Sequence, residues 1–504
     1  MTATAPPLFD ARSSGVLLHP TSLPGPHGCG DFGPAAYHFV DWLAAAGQSL
    51  WQVLPLNPVG HGNSPYQSVS TFAGSPLLVD LGELVERGWL GSIPDPGFER
   101  TRSDYARFAP WRMALLREAW RQFSAHAGDA DHRQLEKFHR QQSHWLDDYA
   151  LFMVLDERYG APWNLWPTEF ARREDAALRR LREEAGPQIG FWCFVQWQFM
   201  RQWLRLRSHA HGRGVRIVGD APIFVAHHSA DVWANAAQYL LDPRGEPTVV
   251  AGVPPDYFSA TGQRWGNPLY DWALMRSDGY GWWHARLAHL VRCFDAVRLD
   301  HFRGFEGYWE VPAHEEHAVN GHWRPGPGRA FFDALHAALG PLPLIAEDLG
   351  VITPAVNKLR IACGFPGMRV LQFAFADTPA NPYLPHNYLP RTVAYTGTHD
   401  NDTTVGWWQQ LGGHEREVVR RYLGPDADAA IHWSMMRALS QSVANTVIYP
   451  FQDVLGLDGT HRMNVPGLSG ACWEWRFEWH QVGDAPAAQL AAMTQAHGRA
   501  LRPV

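Results

Sequence analysis

The sequence predicts a (β/α)8 TIM barrel, and three observations predict it. Eight short apolar runs of strand character recur along the 504 residues, helix-like segments separate most of them, and carboxylates stand at the C-terminal ends of four runs. Strands alternating with helices make parallel sheets, and eight such units close into a barrel. A chain this long would also accommodate about three domains of ~150 residues. The expectation here is instead one catalytic unit over 1–504, decorated by insertions.

The elements follow in order. Gly15–Pro20 is the first strand. Pro34–Gly47 is an amphipathic helix, with proline in its first turn and glycine as its stop. Leu50–Leu56 is the second strand, and the βαβ unit implies parallel pairing. Between the first strand and the helix, Gly28-Cys-Gly-Asp-Phe-Gly33 matches the dinucleotide fingerprint. In that motif the glycines turn straight from strand end to helix start, and an acid after the next strand holds the ribose. Here Pro20, Pro24 and Pro26 intervene and Pro55-Leu-Asn57 offers no acid, so a tight surface loop is expected.

Residues 57–190 read as a mainly helical insertion after strand 2, densest in Arg, Glu and Trp over Tyr105–Arg182, and Phe191–Arg207 is helical again. The alternation resumes with strands at Val215–Asp220, Ala296–Asp300, Leu342–Glu347, Met368–Phe375, Thr392–Thr396 and Thr446–Pro450. Helices are expected at Gly281–Val291, Arg329–Leu339, Thr353–Cys363, Glu415–Tyr422, Ala429–Val443 and Ala485–Leu501. Asn381–Pro390 is too proline-rich for one.

Composition narrows the function. A formal charge of −7 speaks against a nucleic-acid partner, which needs a basic face. Five scattered cysteines without a Cys-x-x-Cys suit a reducing compartment and give neither disulfide framework nor zinc site. The N-terminus lacks the basic and apolar regions of a signal peptide, and no apolar run reaches the ~18 residues of a membrane span. A cytoplasmic protein is expected. The 24 tryptophans are either extra core or stacking platforms, and many sit beside Gly, Pro, Asn and Asp.

In a parallel barrel, polar residues at the C-terminal strand ends face the active site. Those ends hold Asp220, Arg298 with Asp300, Glu347 with Asp348, and His399 with Asp400. Arg298 and Asp300 are two apart on a strand and share a face. The guanidinium favours the ionised carboxylate, as a nucleophile needs. Glu347 follows Leu344-Ile-Ala346, an apolar setting that would hold a proton on a general acid. Two such carboxylates flanking a glycosidic bond can cleave it. Asp400 would be a third acid gripping sugar hydroxyls, and His301 and His399 are assigned to hydroxyls as well. A calcium loop beginning at Asp400-Asn-Asp-Thr-Thr404 is disfavoured, since Val405 and Leu411 stand where it needs glycine and glutamate. No metal or cofactor is expected.

These residues resemble the amylomaltases, the 4-α-glucanotransferases of glycoside hydrolase family seventy-seven in the α-amylase clan. The likeness runs nearly end to end. It covers Asn63-Ser-Pro-Tyr-Gln67, Gly219-Asp-Ala-Pro-Ile-Phe-Val225, Val253-Pro-Pro-Asp-Tyr-Phe258 with Gly262-Gln-Arg-Trp-Gly-Asn-Pro268, Arg298-Leu-Asp-His-Phe-Arg-Gly304, Ala346-Glu-Asp-Leu-Gly350 and Gly397-Thr-His-Asp-Asn-Asp402. Arg-x-Asp is clan-wide; the Pro-Pro-Asp-Tyr-Phe loop is far more specific. The resemblance implies Asp300 as nucleophile, Glu347 as general acid/base and Asp400 as transition-state stabiliser. It implies sugar contacts from Tyr66, Asp220, Arg298, His301 and His399, and a lid within 245–272, after strand 3, carrying Tyr257 and Trp265. It also implies no C-terminal β-domain, which agrees with the helix expected after the eighth strand.

The expected partners are α-1,4-glucans as donors and glucose or maltooligosaccharides as acceptors, with no nucleic acid and no membrane. An α-1,4-glucan hydrolase with the same three acids is the alternative, and a catalytically dead glucan-binding protein a third reading. Product analysis on maltotriose separates them.

Overall fold

Twelve strands define the architecture of the computed structural model, which describes residues 8–160, 162–255, 259–375, 378–468, 470–483 and 485–500. In chain order they are β1 (Ser13–Leu17), β2 (Leu50–Gln52), β3 (Arg216–Pro222), β4 (Val249–Val253), β5 (Gln263–Pro268) and β6 (Ala296–Asp300). The rest are β7 (Gly307–Pro312), β8 (His322–Pro325), β9 (Leu344–Ala346), β10 (Gly367–Val370), β11 (Thr392–Tyr395) and β12 (Thr446–Pro450).

Eight of them close into a barrel in the order β1-β12-β11-β10-β9-β6-β3-β2. Closure falls between first and last, where β1 lies parallel to β12 with Ser13 opposite Thr446. The strands are short and buried on both sides; all five residues of β12 are inaccessible. That is what continuous apolar runs produce when helices cover one face and the barrel interior the other. The predicted (β/α)8 barrel is therefore the observed fold.

Three differences stand out. The strand expected over Met368–Phe375 ends at Val370, where Leu371–Phe373 turns into a 3-10 helix and leaves Phe373 exposed. The Gly28–Gly33 stretch is not a surface loop. A Cβ on Gly28 would meet the Cβ of Phe108 at 2.2 Å, and one on Gly30 the carbonyl oxygen of Pro20 at 2.1 Å. These glycines let a helix pack directly on the backbone, which also explains the motif without a nucleotide. The third difference is a second, antiparallel sheet, β5-β4-β7-β8, which the sequence reading did not foresee. The stretch 245–272, read from sequence as a loop, contains both β4 and β5.

Between β2 and β3 the chain is mostly helical. The helices Tyr105–His126, Asp129–Tyr159, Asp175–Glu184 and Gly186–Gly212 pack together. Phe138, Gln142, Trp145, Tyr149 and Phe152 form one buried stripe, and Trp192, Gln196, Phe199, Trp203, Leu206 and Ala210 another. Alternating steps of three and four residues put each stripe on one helix face. Sixteen of the 24 tryptophans are buried, so surplus tryptophan is mainly core; Trp323 is the one exposed, at 41%. Among the described residues no helix is long and apolar enough to cross a membrane.

Candidate active site

The strand order sets the site. β6 lies between β3 and β9, so Asp220, Arg298 with Asp300, and Glu347 come from three adjacent strands. Asp220 sits directly opposite Arg298 in the β3–β6 register. The buried guanidinium of Arg298 forks between two acids. Its Nη1 donates to Asp220 Oδ2 at 2.6 Å and its Nη2 to Asp300 Oδ1 at 2.8 Å. Burial opposes this charge, but Asp220 and Asp300 outweigh it and hold the Arg298 pKa well above its usual value. Asp220 is sealed, and burial pushes its pKa up against the pull of Arg298. Asp300 keeps 31% of its side chain open to the cleft. One arginine thus serves a closed acid and an open one.

Glu347 is reached from the same strand by an unusual backbone. His301 adopts a left-handed conformation, φ +52°, uncommon for a residue with a side chain. There its N–H donates to Glu347 Oε2 at 2.8 Å, while the Leu349 N–H donates to Oε1 at 2.9 Å. Two amides fix the carboxyl. Burial then raises its pKa to about 7, with Arg298 pulling it down and Asp300 pushing it up. A carboxyl poised there can hold a proton at neutral pH and also release it.

Asp348 does not join the site. It accepts the Met368 N–H at 2.6 Å and pairs with Arg360 at 3.2 Å and Arg369 at 3.5 Å, outside the barrel mouth. Neighbours on an extended segment point to opposite sides. Glu347 faces the cleft, so Asp348 faces away.

The opposite wall joins through aromatic rings. Tyr66 donates its hydroxyl to Asp220 Oδ2 at 2.8 Å, and its ring stacks on His399 at 5.2 Å and 10°. His399 Nε2 lies 3.4 Å from Asp400 Oδ1. Burial lowers the His301 pKa to about 4, so this ring is neutral, and its buried Nε2 has no hydrogen-bond partner among the described residues. Trp265, in β5, meets His301 edge-on at 4.8 Å and brings the second sheet to the cleft. Tyr257 lies outside the described residues.

Three contributors were not anticipated. Asn464 Nδ2 donates to Asp400 Oδ1 at 2.6 Å, and Arg462 Nη2 donates to the Asp400 carbonyl at 2.8 Å. Trp473 closes an aromatic cluster with Tyr66 and His399, both at 5.9 Å. All three come from the loop after β12, where no motif marks them.

A closed parallel barrel with an arginine-bridged set of carboxylates at its C-terminal rim defines the class of barrel enzymes that act on glycosidic bonds. A family profile described as 4-alpha-glucanotransferase matches residues 18–481. The chain is 48% identical to a 4-alpha-glucanotransferase of Thermus thermophilus, over 97% of this chain and 99% of the relative. It is 47% identical to one of Synechocystis, covering 98% and 99%. Among solved structures, an amylomaltase from Streptococcus agalactiae in complex with acarbose superposes with a TM-score of 0.94 at 36% identity, covering 97% of this chain and 100% of that one. The chain belongs to the 4-alpha-glucanotransferase family.

Proposed function

We propose that this protein moves α-1,4-glucan segments from a donor chain to the 4-hydroxyl of glucose or a maltooligosaccharide by a retaining double displacement. Asp300 attacks the anomeric carbon and the C1–O bond breaks. The Glu347 proton passes to the leaving O4, and a covalent glucosyl-enzyme remains on Asp300. Glu347 then takes the proton of the acceptor's 4-hydroxyl as that oxygen bonds C1 and Asp300 departs. Asp400, held by Asn464, supports the flattened ring as positive charge develops. Asp220, Arg298, Tyr66, His301 and His399 bind the sugar beside the scissile bond.

The observation that carries this reading is the division of labour around Arg298. Asp300 is open and paired with the guanidinium, while Glu347 is held by two amides with a pKa near 7. The two carboxyls are thereby set to opposite tasks. Transfer rather than hydrolysis requires the acceptor to be bound and water to be limited. Trp265 and Tyr257, on a lid within 245–272, are proposed for this, because sugar faces stack on such rings.

Incubation with pure maltotriose tests it. The expected products are glucose and longer oligomers with no net rise in reducing ends. A steady rise in reducing ends would instead establish the α-1,4-glucan hydrolase.

A further inference from the structure

Beyond the mouth of the barrel, one aromatic side chain is placed where burial cannot explain it. Trp323 lies on β8, the edge strand of the second sheet, where all four residues are exposed. It is the only exposed tryptophan of the 24. An indole that keeps 41% of its surface in water forgoes much of the gain from burial, and sheet edges are usually blunted with charge.

The ring is nevertheless braced. The guanidinium of Arg303 lies over it at 3.8 Å, and Trp309 meets it nearly edge-on at 5.2 Å and 67°. Arg303 is only 9% exposed, so the indole face it covers is closed and the exposure of Trp323 comes from the remainder of the ring. Arg303 is fixed in turn, donating Nη1 to the Val351 carbonyl. The result is a rigid, half-covered aromatic plate.

The plate is continuous with the catalytic rim. Arg303 is two residues past His301, and Val351, 61% exposed, follows the Glu347–Leu349 turn. β8 itself returns to the barrel mouth, where the Gly326 N–H donates to the Glu306 carbonyl at 2.8 Å. Arg303 links the Val351 carbonyl to the Trp323 ring, so the indole neighbours the turn that follows Glu347.

We propose that Trp323, braced by Arg303 and Trp309, is an outlying stacking site for a long α-1,4-glucan chain, favouring polymeric over short donors. The proposal rests on the glucan-transferase reading above. A pre-oriented indole presents a flat apolar face that matches the C–H face of a glucose ring, at little conformational cost on binding.

The test compares wild type with Trp323→Ala and Trp323→Phe, each first shown by thermal melting to be folded. The kcat/KM for amylose relative to maltotriose should fall about five- to tenfold in Trp323→Ala, as loss of one aromatic stack predicts, and Trp323→Phe should restore most of it. An unchanged ratio, or an equal loss on both donors, overturns the proposal. A second arm does not need turnover. Migration of Asp300→Asn through an amylose-containing gel should be retarded, and adding Trp323→Ala should largely remove the retardation; equal retardation of the two proteins also overturns it. Absence of any maltotriose disproportionation by wild type would instead bring down the transferase reading, leaving the gel to decide the site.

Discussion

The two ends of the barrel each bury an arginine, and the two are held in opposite ways. At the C-terminal end, Arg298 is clasped by Asp220 and Asp300, and its pKa stands well above the usual value. At the other end, fully buried Arg499 donates, among the described residues, only to backbone carbonyls, those of Ser13, Leu439, Ser440, Ser442, Ala444 and Asn445. With no carboxylate among these partners, burial, helped by the nearby charge of Arg12, lowers its pKa to about 10. Arg499 ties the backbone around β1 to that before β12, the seam where the barrel closes. Arg298 ties two acids that would otherwise repel. A buried cation among carbonyls holds a seam of backbone together; a buried cation among carboxylates holds two acids side by side.

Four experiments can break or sharpen that contrast. The largest effect is expected from Asp300→Asn and Glu347→Gln, each lowering maltotriose disproportionation by about 10^4-fold or more while both variants still unfold cooperatively on heating. Near-normal turnover by either would remove the top of the barrel from the chemistry. Arg298→Met should come next. It should cost about 10^2- to 10^3-fold in rate and also some stability, because Asp220 loses its counter-charge. A fully active variant would mean the fork is only structural.

Arg499→Met should do the reverse, losing about 3 kcal/mol or more of stability through unsatisfied carbonyls. At temperatures where it remains folded, kcat should stay within about twofold, since this arginine lies at the far end of the strands from the acids. A kcat loss matching that of Arg298→Met would erase the distinction between the ends. The smallest effect is in pH. With Glu347 titrating near 7, kcat/KM should decline above that value as the acid loses its proton. Its folded pKa lies above the ordinary value of 4.5, so stability is lost as pH rises from 4.5 through 7. Glu347→Gln should therefore melt higher than wild type at pH 8 and alike at pH 4, whereas Arg499→Met should show no such crossover.

Much of this was legible in the sequence, and the exceptions have physical reasons. The barrel was readable because strands buried on both faces are continuous apolar runs, and its acids because each follows such a run. The second sheet was not. β8 is wholly exposed and β5 half so, which leaves no hydrophobic period to detect. Asp348 was grouped with Glu347 by adjacency, although alternation along extended backbone already required one of them to turn away. Asn464 and Arg462 reach Asp400 across more than sixty residues, a proximity that no local pattern encodes. The left-handed turn at His301 was equally hidden, because histidine carries no glycine-like signal for it.

The grip of Asn464 and Arg462 on Asp400 has a consequence for biogenesis. All three acids have been synthesised by residue 400, yet the third has neither of these partners until the loop after β12 exists and the last strand has docked beside the first. A nascent chain therefore carries the three acids of the proposed mechanism unassembled through most of its synthesis, and on that reading activity begins only once the ring has shut.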